Sequence, residues 1–291
     1  MYPTFQDFKL WFSERLKNLF SETETSFLFN ILLEEVCGVT KINYLMDPTV
    51  LITGEQMVLL DRVVTRLLQN EPWQYIFNKA YFLGNEYSVN SGVLIPRPET
   101  EELVQWIFDD YRNSSKAGLH VLDIGTGSGI IPISCKQRFP SWNVRGCDVS
   151  DRALKVARLN AQNILKEAST VDFYLEDILK PKRFFNPPID VLVSNPPYVL
   201  ISDKAKMSEN VLAFEPHIAL FVPDNDPLLF YRKIIEYAND VLSETGCIYF
   251  ETHEDSSLKV GLKKLCNALN FNNIEFKTDL QQRQRMAKIW R

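Results

Sequence analysis

The sequence predicts an α/β protein: a mainly parallel sheet with helices on both faces, preceded by a small helical bundle and a β-hairpin. Three observations predict it. Over roughly the first seventy residues, apolar side chains recur at three- and four-residue intervals, as on amphipathic helices. Between Tyr75 and Val93 the pattern changes to that of short paired strands. From Leu119 onward, short apolar runs alternate with helical stretches, the order that builds parallel strands joined by crossover helices.

Each element has its local reason. Phe5, Phe8, Trp11, Phe12, Leu16, Leu19 and Phe20 make one stripe of a first helix. Ser21 or Thr23, followed by acidic residues, starts a second helix that carries Phe27 to Leu33 and ends at Gly38. Asp47-Pro48 is a turn. Thr53 then caps a third helix, on which Met57, Leu60, Val63, Val64, Leu67 and Leu68 keep the helical period. Tyr81-Phe82-Leu83 and Tyr87-Ser88-Val89 flank Gly84-Asn85, which reads as the turn of a hairpin. Pro98 suits the first turn of a helix that runs to about Tyr111, and residues 113–118 form a loop. The expected sheet strands are Leu119 to Ile124, Asn143 to Cys147, Val171 to Leu175, Ile189 to Ser194, Cys247 to Glu251, Ile274 to Lys277 and Met286 to Trp290. Helices are expected from the glycine-rich turn through Ile133, over Arg152 to Leu165, around Leu228 to Leu242 and near Leu258 to Leu269.

Composition narrows the function. Of 291 residues, 45% are hydrophobic and 24% charged, which excludes wholesale disorder. A net charge of -5 argues against a protein that grips long nucleic acid through its phosphates. No run approaches the ~18 apolar residues of a membrane span. The opening Met1 to Asp7 lacks the basic and apolar regions of a signal peptide. Five dispersed cysteines without C-x-x-C spacing and three scattered histidines predict no metal site and a reducing, cytoplasmic setting.

The first chemical motif is Asp123-Ile124-Gly125-Thr126-Gly127-Ser128-Gly129, at a strand end that opens a helix. Glycines let the backbone turn tightly and let a ligand approach it. The spacing is G-x-G-x-G, a poor match to the G-x-G-x-x-G of dinucleotide folds. It resembles the S-adenosylmethionine loop of class I methyltransferases, in which an acidic residue such as Asp123 lies near the methionine end. A cationic sulfonium and a free ammonium favour a carboxylate there, whereas a pyrophosphate would not. Asp148 ends the second strand about 20 residues past Gly129, the offset at which an acid meets a ribose. Asp177, after the third strand, is the natural neighbour of an adenine, with Ile178 packing against the ring.

The sharpest motif is Ser194-Asn195-Pro196-Pro197-Tyr198, after the fourth strand. A planar NH2 on a carbonyl or aromatic ring is a poor nucleophile because its lone pair is delocalised. The Asn195 side-chain oxygen and the Pro196 carbonyl can hold its two hydrogens and aim the lone pair at a methyl donor. Pro196 and Pro197 stiffen the turn, and Tyr198 offers a face for a flat amide or base.

N-P-P-Y occurs in methyltransferases acting on adenine, cytosine or glutamine amino groups. Glu71-Pro72-Trp73-Gln74-Tyr75-Ile76, Val93 to Glu101, Glu215 to Leu220 and Phe230-Tyr231 narrow the choice, because together they resemble the PrmC/HemK family. The resemblance runs from about residue 71 to the C-terminus. It implies a Rossmann-like class I S-adenosylmethionine-dependent methyltransferase whose seven-stranded sheet has one antiparallel strand near its end. It also implies methylation of N5 of the glutamine in the Gly-Gly-Gln loop of class-1 peptide chain release factors, with S-adenosylhomocysteine as product. On that reading residues 1–72 are a release-factor-docking bundle, 73–98 a hairpin linker and 99–291 the methyltransferase domain. Asn195, Pro196 and Tyr198 are catalytic. Asp123, Gly125, Thr126, Gly127, Ser128, Gly129, Asp148, Asp177, Ile178 and Asn195 hold the cofactor, and Asn195, Pro196, Pro197 and Tyr198 hold the substrate. A monomer is expected, with no nucleic-acid or membrane partner. Asn78, Pro227, Thr252 and Gln281 or its neighbours depart from the family's glycines, which bears on loop geometry alone. A DNA or RNA adenine-N6 methyltransferase is the alternative, a nicotinamide oxidoreductase a remoter one. His217 and His253 are not needed as general bases; Glu215 and Arg97 are candidates for shaping the substrate entrance that the sequence alone does not place.

Overall fold

The computed structural model describes residues 3–114, 116, 118–165 and 170–291. Met1 and Tyr2 of the opening segment, and Ser115 and Ala117 of the expected loop, lie outside them. The chain divides into two compact units, Met1–Asn78 and Lys79–Arg291.

The first unit is helical: α1 (Phe5–Leu16), α2 (Glu22–Cys37), α3 (Lys41–Met46), α4 (Gly54–Leu68) and α5 (Trp73–Phe77). Thr4, Ser21 and Thr53 cap α1, α2 and α4 in reciprocal boxes with Asp7, Glu24 and Gln56. Each box satisfies backbone N–H groups that a helix start leaves open. Gly38, at φ +67°, ends α2 in the left-handed conformation that glycine adopts without strain. The apolar stripes meet in one core of Phe8, Phe12, Leu16, Phe29, Leu32, Leu60 and Val64 among others. Each such side chain contributes about 1.5–3 kcal/mol on burial. The short α3 and α5 were not expected; at six and five residues they are too short to show a period.

The second unit opens with β1 (Lys79–Phe82) and β2 (Asn85–Ser88), then α6 (Pro98–Tyr111). The two-residue turn is Leu83-Gly84, one position earlier than the sequence suggests. Both residues have positive φ, as a type I′ turn requires, and Leu83 accepts that strain with its N–H donated to Glu101 Oε1 at 2.8 Å. The hairpin, expected as part of a linker, belongs to the second unit: Phe82 and Tyr87 are buried in the same core as Leu103, Ile107 and Ile133.

Next come β3 (His120–Ile124), α7 (Ile130–Arg138), β4 (Asn143–Asp148), α8 (Asp151–Ile164), β5 (Val171–Leu175) and β6 (Ile189–Ser194). A two-stranded parallel pair follows, β7 (Val199–Leu200) with β8 (Phe221–Val222), enclosing the short α9 (Glu209–Phe214). The chain ends with α10 (Leu229–Val241), β9 (Leu242–Glu251), α11 (Ser256–Ala268), β10 (Asn273–Thr278) and β11 (Gln284–Trp290). The seven-stranded sheet has the order β10-β11-β9-β6-β3-β4-β5. β11 is antiparallel to both of its neighbours, and the rest of the sheet pairs in parallel. β9 starts earlier than expected, at Leu242; its pairing with β6 passes from Leu242 directly to Cys247, so residues 243–246 bulge out of the ladder. One face of the sheet packs on α6 and α7, the other on α10 and α11.

Because each unit closes its own core, the fragment Lys79–Arg291 should fold by itself, with one cooperative urea transition and near-full secondary structure by circular dichroism. A fragment that is molten or aggregates would show that the second unit needs the first.

Candidate active site

Parallel register brings Ile124 beside Ser194 and Ser194 beside Phe250, and Ser194 Oγ donates to Ile124 O at 2.7 Å. The segments leaving β3, β6 and β9 therefore emerge together at the carboxyl edge of the sheet, where such folds bind ligands. Those leaving β3 and β6, with those leaving β4 and β5, border a cleft of about 330 Å³. Its walls include Gly125 to Ser128, Asp148, Asp177, Ile178 and Asn195 to Pro197, with Thr100 and residues 92–97 completing them.

The glycine turn is held from below. Gly125 N–H and Thr126 N–H both donate to Cys147 O at 2.9 Å. Gly127 N–H donates to Asp148 Oδ2 and Ser150 N–H to Asp148 Oδ1, each at 2.9 Å. Gly125 and Gly127, at φ +74° and +55°, face open space: a Cβ at either would meet no atom within 4 Å. Gly129 serves packing instead, since a Cβ there would lie 3.0 Å from Ile133 Cδ1 and 3.1 Å from Ala157 Cβ. Asn160, buried on α8, donates to Ser128 O at 2.9 Å and also bonds both backbone groups of Ser88. Burial raises the Asp148 carboxyl above its ordinary range, against the N–H groups of Ser150, Gly127 and Val149. Each of its oxygens keeps lone pairs for a ligand hydroxyl. Asp177 and Ile178 follow β5, with Asp177 Oδ1 accepting from Leu179 N–H at 2.9 Å.

Asp123 is not brought to the cleft. It stands two residues after Val121, on the strand face that packs on α7, whereas Ile124 faces the cleft. Its side chain is fully buried, and neither oxygen reaches a hydrogen-bond partner of good geometry. Burial pushes its pKa up to about 7, the nearby Thr126 hydroxyl opposing and the Asp148 charge adding. Asp123 lies beneath the glycine turn, outside the walls of the cleft.

Asn195 and Pro196 stand on the wall. Asn195 Nδ2 donates to Thr100 Oγ1 at 3.2 Å. Among the described residues, neither Asn195 Oδ1 nor Pro196 O accepts a hydrogen bond. Tyr198 is not a wall residue: its hydroxyl donates to Glu251 Oε1 at 3.1 Å, and its ring meets His253 edge-on at 5.9 Å. Thr100 Oγ1 donates to Glu251 Oε2 at 2.6 Å, and Tyr231 OH donates to Glu251 O at 3.1 Å. Buried Glu215 receives Arg97 Nη2 at 2.5 Å and Ile95 N–H at 3.2 Å, which ties the wall segment 92–97 to the residues before Pro216. His217 and His253 lie off the wall; His217 Nε2 bonds Leu212 O and His253 Nδ1 accepts from Asp255 N–H.

The chain matches the model of the PrmC N-terminal domain over residues 10–77 and that of the methyltransferase small domain over residues 107–213. The release factor glutamine methyltransferase of Flavobacterium psychrophilum is 39% identical over 285 residues, 98% of this chain and 98% of that one. The one from Bacteroides thetaiotaomicron is 37% identical, covering 83% of this chain and 84% of its own. The chain belongs to the release factor glutamine methyltransferase family. Among solved structures, a methyltransferase from Pyrococcus furiosus is similar with a TM-score of 0.51 and 18% identity, over 77% of this chain and 95% of its own. The human methyltransferase 10 domain containing protein reaches 0.50 at 17% identity, over 70% and 88%. Both likenesses show the fold alone.

Three polar residues of the site have roles that no motif assigns: Thr100, Glu251 and Asn160. Two of them left a trace in the sequence. Asn160 sits on the apolar stripe of α8, and Glu251 is an acid closing an otherwise apolar strand run.

The Asp123 carboxyl ties stability to pH. Its folded pKa, about 7, exceeds the ordinary 3.8, so the folded chain holds this proton more tightly than the unfolded one. The stability this contributes is full below about pH 4 and is lost as pH rises toward 7. Asp123→Asn should therefore raise the unfolding free energy of the ligand-free protein at pH 8 by about 2–4 kcal/mol, and hardly change it at pH 4. Urea titrations at both pH values measure this, and a gain that is equal at both would refute it.

Proposed function

We propose that the protein transfers a methyl group from S-adenosylmethionine to the side-chain amide nitrogen, N5, of the glutamine in the Gly-Gly-Gln loop of class-1 peptide chain release factors. One observation carries the reading. Two unspent acceptors, Asn195 Oδ1 and Pro196 O, stand on the wall of a cleft that also presents Asp148 and the glycine turn.

The residues present fit the cofactor. Open space over Gly125 and Gly127 leaves room for its amino-acid tail, Asp148 has lone pairs for ribose hydroxyls, and Ile178 offers an apolar face beside Asp177 for the adenine. When bound, S-adenosylmethionine supplies an electrophilic methyl on a sulfonium. Asn195 and Pro196 do the rest by orientation. Accepting both amide hydrogens fixes the plane of the substrate amide and aims the nitrogen lone pair out of it. The same two bonds strengthen as that nitrogen pyramidalises and gains positive charge. The methylated amide then loses a proton to water, so neither histidine is required as a base. Pro196 and Pro197 bring no N–H donors that would compete for these oxygens. The Tyr198 hydroxyl anchors the turn to Glu251.

The reading entails a protein partner rather than nucleic acid, which agrees with the net charge of -5. It entails a cytoplasmic monomer, with the Met1–Asn78 bundle docking the release factor. Among the described residues no helix is long and apolar enough to cross a membrane. The adenine alternative draws no support from relatives named for glutamine methylation.

Mass spectrometry of a class-1 release factor incubated with the protein and S-adenosylmethionine should find one methyl on the loop glutamine; an unmodified glutamine with a methylated nucleic acid control would overturn the reading. Asp148→Ala should weaken S-adenosylmethionine binding by about 1.5–3 kcal/mol in calorimetry, as for a hydrogen bond to a charged group. Unchanged affinity in a folded variant would remove Asp148 from the ribose. Asn195→Ala should lower turnover about 100- to 1000-fold while S-adenosylmethionine still binds. Near-normal turnover would refute the lone-pair mechanism.

A further inference from the structure

An asparagine side chain has two ends of nearly the same shape and opposite chemistry. Turned by half a rotation, Asn195 would present an NH2 group to a substrate NH2, and two donors would face each other. The proposed reaction needs the oxygen in the cleft, so something must decide which end faces it. The turn itself does not, because its prolines have no N–H to offer. Thr100, which touches Asn195, does not decide alone either. A hydroxyl can accept from Nδ2 or donate to Oδ1 with equal ease.

The decision is made one residue further away. Thr100 Oγ1 lies 2.6 Å from Glu251 Oε2, and an ionised carboxylate can only accept. The single proton of Thr100 is therefore committed to Glu251, which leaves lone pairs facing Asn195. Asn195 must answer with Nδ2, found at 3.2 Å, and its oxygen turns to the cleft. Tyr198 OH spends its proton on the other oxygen, Oε1, at 3.1 Å, and Tyr231 OH donates to the Glu251 carbonyl. Every donor in the cluster runs toward one acid. Glu251 is 1% exposed and does not border the cleft, so it cannot bind substrate. A carboxylate in such a place costs several kcal/mol in desolvation, a burden that a neutral side chain of the same size would avoid.

Building on the proposed amide chemistry, we propose that Glu251 is a positioning residue which, through Thr100, fixes the amide of Asn195 with its oxygen toward the substrate. Thr100 passes the polarity on, and Glu251 sets it. The role differs from structural support in what it leaves untouched. Folding and cofactor binding do not depend on which end of Asn195 faces the cleft, whereas turnover does.

The test uses the full-length chain, a class-1 release factor and S-adenosylmethionine, with kcat and KM measured separately. Thr100→Val keeps the shape and removes the relay. It should lower kcat by about 10- to 100-fold, the usual effect of losing a residue that orients a reacting group. KM and the S-adenosylmethionine Kd should each move by less than about threefold. Thr100→Ser restores the hydroxyl and should restore kcat to within about threefold of the parent. Glu251→Gln can donate to Thr100 and free its proton for Asn195 Oδ1. It should lower kcat by about 10-fold or more while Tm stays equal or rises, since a buried charge is gone. Because both variants break one path, the double variant should lose no more kcat than Thr100→Val alone. Parent-like kcat in Thr100→Val, or multiplied losses in the double variant, would overturn the proposal. If the parent itself leaves the release factor unmethylated, the functional reading fails, and that outcome is seen before any variant is compared.

Discussion

Ile124, Ser194 and Phe250 stand side by side across three parallel strands, and the glycine turn and the N-P-P-Y turn of the cleft leave the sheet from that line. Parallel pairing sets all three carboxyl ends at one edge, and the buried bond from Ser194 Oγ to Ile124 O joins two of them directly. A one-residue slip of β6 would turn its side chains to the opposite face and carry Asn195 away from Thr100. Such a slip is opposed by the strand's full burial, residue after residue from Ile189 to Ser194. A fully buried strand thus places the N-P-P-Y turn. Placement to within hydrogen-bond tolerance is what turns a Pro-rich loop into a pair of aimed acceptors.

Asp123, Glu215 and Glu251 are almost wholly out of water, and each meets the cost of burial differently. Glu215 has a guanidinium and a backbone N–H. Glu251 has two side-chain hydroxyls, and burial still raises its carboxyl above the ordinary range. Asp123 has the least, which is why its proton is held to near neutrality. An unpaired buried acid lies directly beneath the glycine turn. Stability and site electrostatics are here the same property.

Much of this was legible in the sequence because it is local. Capping residues, the glycine turn and N-P-P-Y carry their reasons within a few residues, and so the helix starts at Ser21 and Thr53, the βα turn and the position of Asp148 follow directly. What was not legible depends on which face a residue takes or on partners far along the chain. Asp123 reads as a cleft acid by its place before the glycines, yet strand alternation turns it to the opposite side from Ile124. Tyr198 reads as a stacking face by its place in the motif, which says nothing of the bond from its hydroxyl to Glu251, 53 residues away. Thr100 and Glu251 meet across 151 residues, a distance at which no spacing rule speaks. The hairpin turn shifted to Leu83-Gly84 for the same reason, since Glu101 supplies the partner that lets a leucine take positive φ.

The stretch from Ile95 to Glu101 draws these threads together. Pro98 stands at the start of α6, where its missing N–H is not needed, and that fixes where the first turn of the helix falls. Within that turn and just before it, Ile95 and Arg97 hold Glu215, Thr100 joins Asn195 to Glu251, and Glu101 pins the hairpin. Moving the helix start by one residue would rotate Thr100 about 100° around the axis and break its bond to Asn195 while the sheet stayed intact. The acceptor pair therefore depends on two independent placements, one from strand register and one from a helix N-terminus. The strand brings Asn195 to the cleft, and the helix determines what Asn195 shows there.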